Sequence, residues 1–203
     1  MQGDQTHTEK KRERMIKDNE FTSVYGLAEN SVQRLMMLIY RTCQRPEDLI
    51  KAGPANIKRI EHEGREIRVL PIKQGKTGKT VDIVIAGDLA DIVNEHMSEK
   101  TVWPTFVHTR AGKKYTYSGL VAMFRRYVTK AKLTDFGMYD LKGKGATDMY
   151  RAGMPIERIQ HLLGHESVTT TEVYIKASLP DVAMPNMRQI GAKPLSQALA
   201  IAV

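Results

Sequence analysis

The sequence predicts a mainly α-helical domain with a small antiparallel β-sheet, an α+β fold. Three observations lead there. Apolar residues recur at helical spacing in several stretches, with Val32, Leu35, Met36, Ile39 and Cys43 the clearest set. Polar and apolar residues alternate instead over 56–60, 65–72 and 80–86, where Val81, Ile83 and Ile85 share a face. Turn residues, Glu63-Gly64 and Gly75–Lys79, separate the alternating runs, whereas Gly153 and Gly164 stop helical ones.

Taken in order, residues 1–20 mix charges (Lys10, Lys11, Arg12, Glu13, Arg14) and read as a lead-in or a linker remnant. Residues 31–43 form a buried amphipathic helix. Pro46 suits the first turn of a further helix over 46–52, where Glu47 and Asp48 meet its positive end. The three alternating runs make the sheet. Leu89, Ile92, Val93 and Met97 mark the next helix. Leu120, Val121, Phe124, Val128 and Ala131 mark a longer one, capped by Thr116 or Ser118. Helices follow over 140–152 and 155–163, and Ser167 caps a short one running through Tyr174. Trp103, Phe106, Met36, Met37 and Met149 read as packing residues. Beyond Pro180 the chain turns apolar. Leu195, Ala198, Leu199 and Val203 suit a last helix in a 179–203 tail, packing in cis or in trans. One domain over 21–178 accommodates the rest.

Composition narrows the function. The chain has 203 residues with Lys+Arg 31 against Asp+Glu 23, a net charge of +8. That balance favours a polyanionic partner. Residues 51–80 carry eight basic and three acidic side chains, and 110–151 carry ten and three, whereas 81–109 is net −4. Two basic blocks on one side would make a phosphate-binding surface. The single Cys43 excludes an internal disulfide and any Cys-only zinc site, and suits a reducing compartment. No apolar run reaches membrane-span length, and residues 1–20 are too charged for a signal peptide. A cytoplasmic, nucleoid-associated protein with no membrane partner is expected.

Two motifs mislead. Gly75-Lys76-Thr77-Gly78-Lys79-Thr80 looks like a nucleotide-binding phosphate loop. Lys73 stands where that loop needs its first glycine, and a strand pattern follows where it needs a helix, so no nucleotide cofactor is expected. His161 and His165 have the spacing of a zinc-binding helix. Their string is His-Leu-Leu-Gly-His, without the glutamate and with a helix-ending glycine inside, so no metal is expected.

Cleaving a phosphodiester without a metal requires a nucleophile that holds the phosphoryl group, fixed cations on the non-bridging oxygens, and a proton donor for the leaving alkoxide. The sequence offers Thr42-Cys43-Gln44-Arg45-Pro46 at a helix junction and Lys76 in a tight turn between strands. Tyr139-Asp140-Leu141-Lys142 opens a helix, and Leu163-Gly164-His165 is followed nine residues later by Tyr174.

That order, from about residue 20 to residue 177, resembles the catalytic domain of the tyrosine recombinase, or phage integrase, family. Its strongest piece is Leu-Gly-His-Glu-Ser-Val-Thr-Thr-Thr-Glu-Val-Tyr, Leu163 to Tyr174. The resemblance implies that Tyr174 is the nucleophile, forming a 3′-phosphotyrosyl link and freeing a 5′-hydroxyl. It implies that Arg45 is the first catalytic arginine, that Lys76 protonates the leaving oxygen, and that His165 hydrogen-bonds the scissile phosphate. The linkage conserves energy, so no cofactor is required. Where the family has His-x-x-Arg this chain has Tyr139 and Lys142. The phenol is a poor base, and the ammonium loses a bidentate contact. Lys144 is a neighbour that could assist.

The implied partner is double-stranded DNA, bound by a homo-oligomer, a tetramer in the family. Lys73, Lys79, Lys113, Lys114, Arg125 and Lys144, in the two basic blocks, are the expected DNA contacts. The expected function is site-specific cleavage and rejoining, as in prophage or mobile-element integration and excision. The alternatives are a DNA-binding relic of weakened activity, and relaxation of supercoils by the same chemistry. Family members carry a helical DNA-clamping domain before the catalytic one, and only about twenty residues precede the domain in this sequence.

Overall fold

The structure, a computed structural model, describes residues 14–176. The helix expected within 195–203 lies outside the described residues. Eight α-helices and one three-stranded sheet follow in order among them: α1 (Asp18–Leu27), α2 (Asn30–Thr42), α3 (Pro46–Leu49), β1 (Lys58–His62), β2 (Arg65–Lys73), β3 (Thr80–Val84), α4 (Asp88–Ser98), α5 (Tyr117–Lys130), α6 (Met138–Arg151), α7 (Ile156–Leu163) and α8 (Val168–Lys176).

Helix α2 is the hub. Val32, Leu35, Met36, Leu38 and Ile39 are all buried, so Leu38 widens the apolar stripe that the spacing predicts. It packs on α1, α3, α4, α5 and α6. The contact with α6 is close because Gly145 lies under the Tyr40 carbonyl, where a Cβ would collide with backbone.

The sheet is antiparallel in the order β1-β2-β3. Glu63 and Gly64 both have positive φ, 51° and 72°, the geometry that lets a two-residue turn pair His62 with Arg65. Val69, Leu70, Ile72, Val81 and Ile83 enter the core. Gln74 to Lys79 close the second hairpin, from whose tip Lys76 projects. Thr116 caps α5, its hydroxyl accepting from the Gly119 amide at 3.1 Å, and the Ser167 hydroxyl accepts from the Thr169 amide at 3.2 Å at the start of α8.

Three elements differ from expectation. The helix after Pro46 stops at Leu49, and a single 3₁₀ turn, Pro54–Asn56, takes in Asn56, the first residue of the expected 56–60 strand, so β1 begins at Lys58. The 1–20 lead-in overlaps α1, which begins at Asp18. That segment is held by tertiary contacts. Ile16 and Val24 are fully buried, and the Arg14 guanidinium bridges Glu20 and the carbonyls of Thr134 and Asp135. Among the described residues no helix is long and apolar enough to cross a membrane.

Candidate functional site

The loop leaving α2 aims the first candidate. Cys43 ends the helix in the left-handed region (φ 52°), its amide still bonded to the Ile39 carbonyl at 2.8 Å. A non-glycine residue there costs roughly 1–2 kcal/mol, and burial of the thiol among Ala146, Ile159, Leu163 and Ile175 offsets it. Burial also pushes the Cys43 pKa up to about 12, so the thiol is not a nucleophile at neutral pH. The reversal at Cys43 sets Arg45 at the cap of α3 with Pro46 in its first turn.

Arg45 opens onto a cleft of about 380 Å³, lined also by Glu47, Asp48, Lys51, Gly75, Lys76 and Tyr139. Three sequence-predicted site residues, from three separate elements, therefore meet in one place. The sequence makes Asp48 a helix-end charge. In the structure it is buried, and its carboxylate accepts from the Gly75 amide at 3.0 Å. This bond fastens the Lys76 turn to the helix that Arg45 begins.

Tyr139 opens α6 and donates its hydroxyl to the Glu47 carboxylate. One turn on, Lys142 is buried. Its charge reaches His165: burial first, then Lys142 and Arg45, lower the His165 pKa to about 4. The imidazole is therefore neutral at neutral pH, and its Nδ1 lies 2.9 Å from the Thr171 hydroxyl of α8. Gly164 (φ 71°) ends α7 and turns the chain so that His165 faces inward. His161, on the helix, is exposed, so the two histidines do not share a face. Tyr174 lies on α8, whose Thr171 is the His165 partner.

Lys144 is buried away from the cleft, contrary to expectation. Residues two apart on a helix do not share a face, so with Lys142 turned toward His165, Lys144 turns toward α1 and α2. Its ammonium is bound by Asp148 at 2.8 Å and by Asp18, and sits 5.9 Å from the Tyr40 ring. Burial pulls its pKa down, but the bonds to Asp148 and Asp18 outweigh that and leave it raised. The Tyr40 hydroxyl donates to the same Asp148 at 2.9 Å, and burial, then that bond, raise its pKa to about 12. Lys144 is a structural cation and does not face the cleft as an assisting group or a DNA contact.

Lys73, Lys76, Lys79, Lys113, Lys114 and Arg125 are exposed. Lys79 reaches Glu166 at 3.4 Å, linking the hairpin tip to the loop beside His165. Away from the cleft, His96, Glu99 and His108 bring potential metal-ligating atoms within 4.8 Å of one another. Arg34 already supplies a cation there, 3.1 Å from His96 Nδ1 and 2.8 Å from a Glu99 oxygen. The sequence offered no sign of this cluster, because its members come from α2, α4 and the following loop.

The sequence matches the phage integrase family over residues 14–179. It is 27% identical over 150 residues to tyrosine recombinase XerC of Roseiflexus castenholzii, covering 69% of this chain and 45% of that protein. It is 30% identical over 150 residues to tyrosine recombinase XerA of Pyrococcus furiosus, covering 71% and 49%. The chain thus spans about half the length of the curated relatives it matches. Among solved structures, the lambda integrase catalytic core superposes with a TM-score of 0.61 at 21% identity, covering 74% of this chain and 91% of that one. A lambda integrase tetramer bound to a Holliday junction gives 0.68 at 20% identity, covering 84% and 50%. The expected fold is therefore the observed one, and the chain belongs to the phage integrase family, as a tyrosine recombinase catalytic domain.

Proposed function

We propose that this domain cleaves and rejoins DNA strands at a specific site through a 3′-phosphotyrosyl intermediate, in prophage or mobile-element integration and excision. The observation that carries the reading is the convergence of Arg45, Lys76 and Tyr139 on one cleft, with the charges of Arg45 and Lys142 both acting on His165. The Tyr174 oxygen attacks the phosphorus and forms the new P–O bond as the bond to the 5′-oxygen breaks. Lys76 gives a proton to that leaving oxygen, which becomes a 5′-hydroxyl. Arg45 and Lys142 neutralise the non-bridging oxygens as charge builds on them, and neutral His165 donates a hydrogen bond there. Attack by a 5′-hydroxyl on the phosphotyrosine reverses every step, so rejoining uses the same groups.

The substrate is double-stranded DNA, held by the exposed lysines 73, 79, 113 and 114 with Arg125, and the working form is a homo-oligomer on DNA in the cytoplasm. The support for assembly is the lambda integrase tetramer bound to a Holliday junction, which shares this fold.

The test is covalent capture on nicked duplexes randomised around the nick. Wild type should give a protein–DNA adduct enriched for one sequence. Tyr174→Phe should give none while binding the enriched duplex with nearly unchanged affinity. An adduct that survives Tyr174→Phe overturns the nucleophile. Binding without any wild-type adduct selects the DNA-binding relic, and adducts with no sequence preference select supercoil relaxation.

A further inference from the structure

The candidate residues Arg45, Lys76 and His165 belong to three stretches far apart in sequence, and two glutamines join those stretches from beneath. Gln44 immediately precedes Arg45, Gln74 lies at the foot of the Lys76 turn, and Leu162 and Leu163 lead into Gly164 and His165. Both glutamines are buried, 0% and 1% exposed.

Their amides are fully engaged. Gln74 Nε2 donates to Gln44 Oε1 at 2.8 Å and to the Leu163 carbonyl at 3.0 Å. Gln44 Nε2 donates to the Leu162 carbonyl and to the Thr42 carbonyl. Gln74 Oε1 accepts from the Thr77 hydroxyl at 2.8 Å. The Gln74 backbone closes the turn, bonding Lys79 and Gly78 at 2.8 Å each.

Leu162 and Leu163 are in the last turn of α7, where carbonyls have no partner within the helix. The glutamine pair supplies those partners from two other elements. The fit is close: a Cβ on Gly164 would strike the Gln74 amide. An apolar pair would fill this space and leave the carbonyls unpaired, and it would accept several registers between hairpin, loop and helix. A satisfied buried amide network fixes one arrangement.

We propose that Gln44 and Gln74 are positioning residues, a buried amide pair that sets the Lys76 turn and the His165 loop in register with Arg45 for strand cleavage. The proposal rests on the catalytic reading given above.

The test compares Gln74→Met with wild type on a duplex that wild type cleaves, and on the same duplex with sulfur in place of the bridging 5′-oxygen. A thiolate, with a conjugate-acid pKa of roughly 8.5, leaves without a proton donor. Misplacing Lys76 by about 1 Å should slow cleavage of the oxygen substrate roughly 10²-fold, with DNA affinity within about threefold of wild type. The deficit should shrink on the sulfur substrate, as it should for Lys76→Ala. Equal slowing on both substrates, or no slowing, overturns the proposal. Should Gln74→Met fail to fold, Thr77→Val removes one bond to the network from the exposed side and should show the same pattern at smaller size.

Hydrogen exchange separates this failure from that of the catalytic reading. Even in a protein that cleaves nothing, the altered variant should lose protection together at Gly78 and at His165, whose amides bond within the turn and to the Gln160 carbonyl. Unchanged protection at both overturns the pair as a register device.

Discussion

The Tyr139 hydroxyl donates a hydrogen bond to the Glu47 carboxylate inside the cleft that Arg45 and Lys76 also line. The second Glu47 oxygen is buried with no hydrogen-bond partner. A carboxylate in this position competes with a phosphate for the same cations, and the phenol holds it aside. A hydrogen bond to a charged acceptor contributes roughly 1.5–3 kcal/mol. Tyr139→Phe should therefore release Glu47 toward Arg45 or Lys76 and slow cleavage by about tenfold or more. Adding Glu47→Gln should recover most of that loss, because the neutral amide no longer draws the cations. Single-turnover cleavage by the two single variants and the double variant measures the coupling. If Glu47→Gln worsens Tyr139→Phe, Glu47 is not the competing group.

In the proposed mechanism Lys142 is the second phosphate-binding cation. Lys142→Met keeps the length of the buried stem and removes the charge, so it should cost roughly 10²–10³-fold in cleavage with little loss of DNA binding. Lys142→Arg should be faster than Lys142→Met, with any gain over wild type limited because the ammonium is buried and a longer planar group must fit there. Single-turnover rates for the three proteins check the order. Equal rates for wild type and Lys142→Met would remove Lys142 from the site.

His165 carries a pH signature. Its pKa is depressed from 6.5 to about 4 by burial, Lys142 and Arg45. Between those values the unfolded chain binds a proton that the folded one does not, so stability rises with pH across the window. The contribution is complete above about 6.5 and is lost progressively as pH falls toward 4. His165→Gln should flatten this part of the stability profile, read from urea unfolding between pH 7 and 4.5. Lys142→Met should raise the His165 pKa, read by NMR, because one of the depressing charges is gone. Parallel unfolding profiles for wild type and His165→Gln would contradict the buried neutral imidazole.

Gly145→Ala should destabilise the fold without touching the cleft. The added Cβ meets the Tyr40 carbonyl, which is helix backbone and cannot give way. The expected loss is roughly 1–3 kcal/mol, as for other overpacked cores. Gly26→Ala is the contrast. Nothing lies within 4 Å of its Cβ position near the end of α1, so it should stabilise by roughly 0.4–1 kcal/mol by restricting the unfolded chain. Thermal unfolding of both variants tests the pair, and a stable Gly145→Ala would mean that α2 and α6 can separate at low cost.

The sequence by itself determined the fold class, the order of the elements from α2 to α8 and the family. Period and punctuation are local properties: Val32 to Ile39 repeat at helical spacing, Val81 to Ile85 alternate, and Gly153 and Gly164 stop helices wherever the chain later goes. Tertiary structure decided which side chains share a space. Helix α1 was invisible because Asp18–Leu27 carries Thr, Ser, Val and Gly in place of strong helix formers. What holds it is the burial of Ile16 and Val24 and the bonds of Arg14 across the fold. Helix period already puts Asp148 one turn from Lys144, but only the packing of α6 brings Asp18 to Lys144 and the Lys142 charge to His165. Asp48, Gln44 and Gln74 looked like ordinary polar residues. Their roles arise from partners 27 to 118 positions away, and a hydrogen bond depends on where two atoms end up in space, which no local pattern encodes.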